Sequence, residues 1–187
     1  MVTLTDLWMP ILLSAVFVFI ASSIFHMVIP LHKGDYKKLP GEDAVLQAIR
    51  AQSVSPGTYM FPNCPSMKDM GSPEMMEKWK KGPVGFMTVL PSGAPAMGKN
   101  LIQWFIYTIL VGAVLAYVAT LALERGEIFI NVFRFVGCMA ILAYATAAIP
   151  ESIWKGQSWI TTAKFIFDGA VYGLVTAATF GWLWPAA

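Results

Sequence analysis

The chain has 187 residues, of which 57% are hydrophobic and only 13% are charged. Soluble domains carry about 25% charged residues and bury their apolar residues in one core, so this composition excludes an ordinary soluble protein. The formal net charge of +2, without a block of basic residues, gives no indication of nucleic-acid binding.

Four apolar runs are long enough to cross the roughly 30 Å hydrocarbon core of a bilayer, which takes about 20 helical residues. They are Leu7–Ile29, Leu101–Leu123, Ile128–Ile149 and Ala163–Trp184. The first run is too long for a cleaved signal peptide, and no basic residue precedes it. The sequence therefore predicts an all-α membrane protein, a four-transmembrane-helix bundle with a small mixed α/β cytoplasmic loop region.

Lysines lie mostly on one side of the predicted spans. They follow the first span, or flank the start of the fourth, at Lys33, Lys37, Lys38, Lys78, Lys80, Lys81, Lys99, Lys155 and Lys164. The turn between the second and third spans has only Arg125, with glutamates on both sides. Because cytoplasmic loops carry the excess of Lys and Arg, we expect both termini outside and the long loop in the cytoplasm.

The loop between the first two spans is too long for a plain connection and has the sequence features of a folded cap. Glu42–Gln52 predicts a short amphipathic helix, and Ser72-Pro73-Glu74 is typical of a second helix start, which Gly82-Pro83 ends. Thr58–Pro62 and Val84–Leu90 have strand-like composition and are expected to pair. The chain thus divides into residues 1–30, the first transmembrane helix; 31–100, the cytoplasmic loop or cap; and 101–187, three further transmembrane helices.

Small residues recur at four-residue spacing along two of the predicted spans. The fourth span has Gly169, Gly173, Ala177 and Gly181, and the second has Thr108, Gly112, Ala116 and Thr120. Helices in lipid associate through close packing of small residues, so these stripes could contact a partner subunit or a second copy of the chain. The more ordinary interpretation is packing within one bundle, because two stripes in one chain can face each other.

Ionisable side chains inside membrane spans are costly, and each marks a candidate functional site. His26 lies near the inner end of the first span, Asp168 in the inner third of the fourth, and Arg134 in the outer third of the third. A His26–Asp168 contact at similar depth could hold a proton, orient an imidazole for a ligand or gate a polar cavity. Alternatively, Asp168 pairs locally with Lys164, and Arg134 reaches the outer headgroups or Glu127.

The loop also contains the pattern Cys-x-x-Met-x-x-Met, formed by Cys64, Met67 and Met70. Its soft thiolate and thioether groups would suit Cu(I). Because the chain has 11 methionines, chance explains most of this pattern, and we predict no metal and no cofactor. A haem held by His26 and His32 is not expected, since Pro30 stands between them and this spacing does not direct both rings to one site.

Three stretches of the chain carry a resemblance to known proteins. They are His26-Met27 through Asp35-Tyr36-Lys37-Lys38-Leu39-Pro40-Gly41-Glu42-Asp43, then Gly82-Pro83-Val84-Gly85-Phe86, and finally Phe180-Gly181-Trp182-Leu183-Trp184-Pro185. Over nearly its whole length the chain resembles a family of small four-span bacterial inner-membrane proteins without an established activity. The resemblance implies a four-span architecture in a bacterial cytoplasmic membrane, and it assigns no catalytic or ligand residue.

No nucleotide-binding glycine motif, nucleophile elbow or paired-histidine metal motif occurs in the chain, so we do not expect an enzyme. The first hypothesis is a non-enzymatic accessory or interaction protein, in contact with the lipid bilayer and with a membrane protein partner or a second copy. The second is a small transporter or channel-like protein that uses His26 and Asp168. The third is a metal-handling or redox membrane protein.

Overall fold

Four helical segments of the structure, a computed structural model that describes all 187 residues, are long and apolar enough to cross a membrane. They are Leu4–Val28, Met97–Thr120, Phe129–Lys155 and Trp159–Trp182. Their number confirms the prediction, but every bound differs from the predicted one, most of all the end of the third segment. The third segment continues to Lys155, and the fourth already begins at Trp159, because Gly156, at φ +70°, turns the chain between them.

The regular elements follow one another in chain order. They are α1 (Trp8–Ser23), α2 (Glu42–Ala51), β1 (Gly57–Phe61), α3 (Pro73–Lys81), β2 (Gly85–Val89), α4 (Met97–Thr120), α5 (Phe129–Ala145), α6 (Ile149–Lys155) and α7 (Trp159–Trp182). Two compact units are formed: the bundle unit, residues 1–35 and 96–187, and the loop unit, residues 36–95.

Close packing of α7 against α5 holds the bundle unit together. A Cβ atom added at Gly169 would lie 2.6 Å from the Ala145 backbone, and one at Gly173 would lie 2.6 Å from the Ile141 side chain. Farther along α7, Gly181 meets the Phe129 ring in the same way. The small stripe of the fourth span therefore packs inside the chain, as the ordinary interpretation had it, and α1 packs against both α7 and α4.

The small stripe of the second span is also used within the bundle unit. Gly112 on α4 lies against Ile11 on α1, where a Cβ atom would be 3.5 Å from the Ile11 side chain. Thr108 and Ala116, one turn to either side, are buried. A core of fully buried side chains that includes Leu7, Val132, Val136 and Phe180 lies toward the end of the bundle where α7 ends.

The loop unit contains the helices and strands that its sequence predicts. The Ser72 hydroxyl accepts a hydrogen bond from the Met75 amide at 3.2 Å and so caps α3, and Gly82, at φ +61°, follows its end. Strands β1 and β2 pair antiparallel, with Met60 opposite Phe86. The prediction of a small mixed α/β region between the first two apolar segments is thereby confirmed.

Candidate metal centre

The chain reverses direction within a few residues after α1. Residues Ile24–Val28 form a wider π-helical turn, Ile29 is extended because a proline follows it, and Pro30–His32 form a single 3₁₀ turn. The reversal stacks the ring of His32 on that of His26, with centroids 4.4 Å apart and planes 14° apart. The expectation that these two rings cannot face one site is therefore wrong, since Pro30 begins the very turn that brings them together.

Both ring nitrogens of His32 contact carboxylates. Nδ1 lies 2.7 Å from Asp35 Oδ2, and Nε2 lies 2.7 Å from Asp168 Oδ2 on α7. Ionised carboxylates only accept hydrogen bonds, so both ring nitrogens of His32 face acceptors, and a ring that carries both protons donates to each of them. All three side chains are largely buried, with 13% of His32, 5% of Asp35 and 3% of Asp168 exposed.

Lys164 completes the charged cluster from α7. Its ammonium donates a 2.6 Å hydrogen bond to Asp35 Oδ1. This bond, together with the one from His32, holds the pKa of the Asp35 carboxyl below its ordinary value and keeps it ionised. The alternative prediction, a local pair between Lys164 and Asp168, is wrong: the lysine reaches Asp35, which the reversed chain brings to the same helix.

His26 joins the cluster through stacking rather than through a direct bond to Asp168. Its Nδ1 lies 3.0 Å from the backbone oxygen of Ser22, one turn earlier on the same helical segment, and its side chain is exposed. Ser22 is itself fixed, because its hydroxyl accepts a 2.9 Å hydrogen bond from the Trp104 indole of α4. The bond to Nδ1 leaves Nε2 of His26 available to a ligand.

His26, His32 and Asp168 each offer one potential ligand atom, and these atoms all lie within 4.8 Å of one another. Tetrahedral Zn²⁺ with bonds of about 2.0–2.2 Å holds its ligand atoms about 3.4 Å apart, so shifts of roughly an ångström would bring the three atoms into position. Histidines that ligate metals usually donate the other ring nitrogen to a carboxylate or a carbonyl. Here Asp35 and the Ser22 carbonyl occupy those two positions.

None of the other candidates from the sequence makes a hydrogen bond or ion pair to this cluster. Arg134 is exposed near the opposite end of the bundle and makes no ion pair, since Glu127 instead accepts a 2.7 Å hydrogen bond from Asn131. In the loop unit, the Cys64 thiol donates to the Ser66 carbonyl oxygen, and Met67 is 80% exposed. The ligand group in this chain thus contains neither arginine nor sulfur.

Sequence reasoning rejected His32 as a ligand and missed Asp35, although these two residues together position the cluster. Both follow the first apolar run in a stretch that also contains Lys33, and we interpreted that stretch as a basic membrane flank. The available signal was the spacing His-x-Gly-Asp directly after a proline-terminated span, because a β-turn with glycine at its third position brings its first and fourth residues together; here Gly34 has φ +94° and the Asp35 amide donates to the His32 carbonyl.

Comparisons with models of known protein families, with curated protein sequences and with solved structures find no similar protein. The resemblance to small bacterial inner-membrane proteins therefore stays a prediction, and a functional assignment has to come from the geometry of the site.

Proposed function

We propose that the chain is a multi-pass, metal-handling protein of a bacterial cytoplasmic membrane, which binds a divalent transition-metal ion through His26, His32 and Asp168. One observation carries this proposal: three side chains of suitable type converge from two segments, and both histidines already have an acceptor for the other ring nitrogen. Among the three hypotheses from the sequence this is the metal-handling one, with a different set of ligands.

The donor set indicates the class of metal. Two imidazole nitrogens and one carboxylate oxygen suit Zn²⁺, Co²⁺ or Fe²⁺, whereas Cu(I) prefers sulfur. Charge also favours a divalent ion, because a neutral, metal-bound His32 leaves the carboxylates Asp35 and Asp168 against the single ammonium of Lys164. The metal would take the place of the proton on His32 Nε2. The exposed His26 ring offers the ion a route of entry.

The direct test is metal binding by the purified protein. The chain is prepared in detergent with an affinity tag that contains no histidine, stripped with a chelator and titrated with Co²⁺ while its visible absorption is recorded. We expect one ion per chain, and His32→Ala should weaken binding by about 100-fold or more, since even outer ligand partners are worth about 10–100-fold. Asp168→Asn and His26→Ala should also weaken it.

Glu127→Gln is the matched control, because it removes a carboxylate at the other end of the bundle unit. This variant should bind Co²⁺ like the unaltered chain. The proposal is overturned if the unaltered chain binds no Co²⁺, or if His32→Ala and Glu127→Gln bind it equally well.

The orientation of the chain is a further part of the proposal. Because the lysine-rich loop is expected on the cytoplasmic side, the termini lie outside and the metal centre lies toward the cytoplasm. In spheroplasts, a membrane-impermeant thiol reagent should leave Cys64 unlabelled in a Cys138→Ser background, and lysis should expose it. Ala187→Cys, in a chain that lacks both natural cysteines, should be labelled before lysis. The reverse labelling pattern would invert the topology.

A second candidate function, the accessory protein that contacts a membrane protein partner or a second copy, is favoured by one feature of the loop unit. Met60 and Phe86 are cross-strand neighbours, and 42% and 46% of their surfaces are exposed. Paired large apolar side chains on an exposed face are typical of a contact surface. A photo-crosslinking residue in place of Phe86 should then form an adduct with a partner in cells. Met60→Ser should reduce the yield of this adduct and leave Co²⁺ binding unchanged.

A further inference from the structure

Two buried polar atoms beside the candidate metal centre have no hydrogen-bond partner: Asp168 Oδ1 and the hydroxyl oxygen of Tyr172. No other buried side-chain nitrogen or oxygen in the chain lacks a hydrogen-bond partner. Asp168 is 2% exposed and Tyr172 is 5% exposed, so solvent at the surface does not supply them with a hydrogen-bond partner. Buried polar groups without a partner are costly, and proteins usually supply one through water or a ligand.

These two atoms belong to the same face of α7. Tyr172 follows Asp168 by one helical turn, which makes the two side chains neighbours. The other carboxylate oxygen of Asp168, Oδ2, faces His32 at 2.7 Å. Asp168 thus presents one oxygen to the histidines and keeps a second that no protein group uses.

Aromatic rings hold the Tyr172 side chain in place. The rings of Phe25, Trp104 and Tyr144 have their centroids 6.4, 6.0 and 5.9 Å from that of Tyr172. These neighbours come from three different helical segments, so the position of the hydroxyl is fixed by packing. The hydroxyl is therefore a fixed donor in an otherwise apolar region next to Asp168.

The geometry points to a fourth, exchangeable ligand position on the metal, facing Tyr172. This inference rests on the proposed metal binding. Three protein ligands leave one position of a tetrahedral site open to water or to a small anion. A water molecule there donates to Asp168 Oδ1 and accepts from the Tyr172 hydroxyl, which satisfies both buried atoms. A small anion with an oxygen or nitrogen donor atom replaces that water and accepts the same hydrogen bond.

The competing arrangement has Asp168 binding the metal through both oxygens. That arrangement satisfies Oδ1 but leaves the Tyr172 hydroxyl without a partner, and it closes the site to other ligands. The two arrangements make opposite predictions for an added anion, since only an open position admits one. Tyr172 acts here as a positioning residue for the added ligand and not as a metal ligand.

The experiment titrates the Co²⁺-loaded, detergent-solubilised chain with azide and follows the visible absorption of the metal. We expect a saturable spectral change in the unaltered chain. Tyr172→Phe should raise the azide dissociation constant about tenfold, because it removes a hydrogen bond to a charged ligand, and should change the Co²⁺ dissociation constant by less than about threefold. Tyr144→Phe is the matched control, since it removes the hydroxyl of an adjacent, partly buried ring, and it should leave azide binding within about twofold.

Each result decides the matter. A Co²⁺ spectrum that azide does not change in the unaltered chain shows a closed site and overturns the fourth position, while the proposed metal binding stands. Equal azide affinities in Tyr172→Phe and Tyr144→Phe overturn the role of Tyr172. Failure of the unaltered chain to bind Co²⁺ overturns the proposed function and this inference together, and the absorption titration with Co²⁺ alone reveals that case first.

Discussion

Charged side chains lie at both ends of the bundle unit, but they are buried at one end and partly exposed at the other. Where α7 begins, His32 lies between Asp35 and Asp168, and at most 13% of any of the three side chains is exposed. Where α4 ends, the ion pair between Arg125 and Asp6 is equally short, at 2.6 Å, yet 42% and 28% of its side chains are exposed. Distance alone therefore does not distinguish the two ends; burial does.

This difference predicts different energetic roles. Exposed ion pairs contribute about 0–1 kcal/mol, because water and salt screen them and long side chains lose freedom. A buried pair contributes little by itself, but removal of one partner leaves an uncompensated charge and costs about 3–5 kcal/mol. The cluster around His32 thus constrains the course of the chain after α1, whereas the Arg125–Asp6 pair is expected to contribute little to stability.

The largest effect is expected from Asp168→Ala. In metal-free protein the change should lower the free energy of unfolding by about 3 kcal/mol, because it removes one of the two carboxylates that contact the buried His32 ring. Reversible unfolding in lipid bicelles, followed by tryptophan fluorescence in the presence of a chelator, measures it. Arg125→Met, which breaks the exposed pair, should cost less than about 1 kcal/mol. Equal losses in the two variants would show that burial does not separate the two ends.

A second test compares two glycines of α7, Gly169 in its middle and Gly181 near its end. Gly169→Ala drives a Cβ atom against the Ala145 backbone, which cannot move without shifting α5, and we expect a loss of about 2 kcal/mol. Gly181→Ala meets mainly the ring of Phe129, which is 48% exposed and free to turn away, so the loss should stay below about 1 kcal/mol. The same unfolding measurement decides it, and a larger loss at Gly181 would contradict the tighter backbone contact at Gly169.

Much of the fold follows from the sequence because its signals are local. Runs of apolar residues identify the four long helical segments, since length and hydropathy suffice for that purpose. In the loop unit, the Ser72-Pro73 start and the Gly82 end of α3 depend only on neighbouring residues. The bounds of α7 were less accurate, because Trp159, Thr161 and Thr162 continue the helix while adding little hydropathy.

The candidate site could be predicted only in part, because it depends on a tertiary reversal. An ionisable residue in an apolar run identified Asp168, and depth along straight helices paired it with His26. The structure pairs it with His32 instead, since the π-helical turn Ile24–Val28 and Pro30 fold the chain back. A hydropathy profile of the sequence does not reveal such a turn. For the same reason the local i,i+4 rule misassigned Lys164, whose partner is distant in sequence.

A third expected effect is intermediate in size. Lys164→Met leaves Asp35 with His32 as its one charged partner, and we expect the free energy of unfolding to fall by about 1 kcal/mol. The loss is smaller than for Asp168→Ala because 22% of the Lys164 side chain is exposed, so water already screens this charge. Unfolding in bicelles at neutral pH measures the loss, and a loss as large as that of Asp168→Ala would place the centre of the cluster at Asp35.

The smallest effect is expected from Arg134→Met. Arg134 is an exposed side chain with no ion pair, about 7.5 Å from the start of α5 at 1.5 Å per residue, so in the proposed membrane arrangement its charge can reach the headgroup region. Replacement by an apolar side chain of similar length should change the free energy of unfolding by less than about 0.5 kcal/mol. The Co²⁺ affinity should not change either, since the metal centre lies at the other end of the bundle. A loss above about 1 kcal/mol would mean that Arg134 has a partner in the bilayer itself. In that case, burial within the protein would not be enough to predict how much each charged side chain contributes to stability.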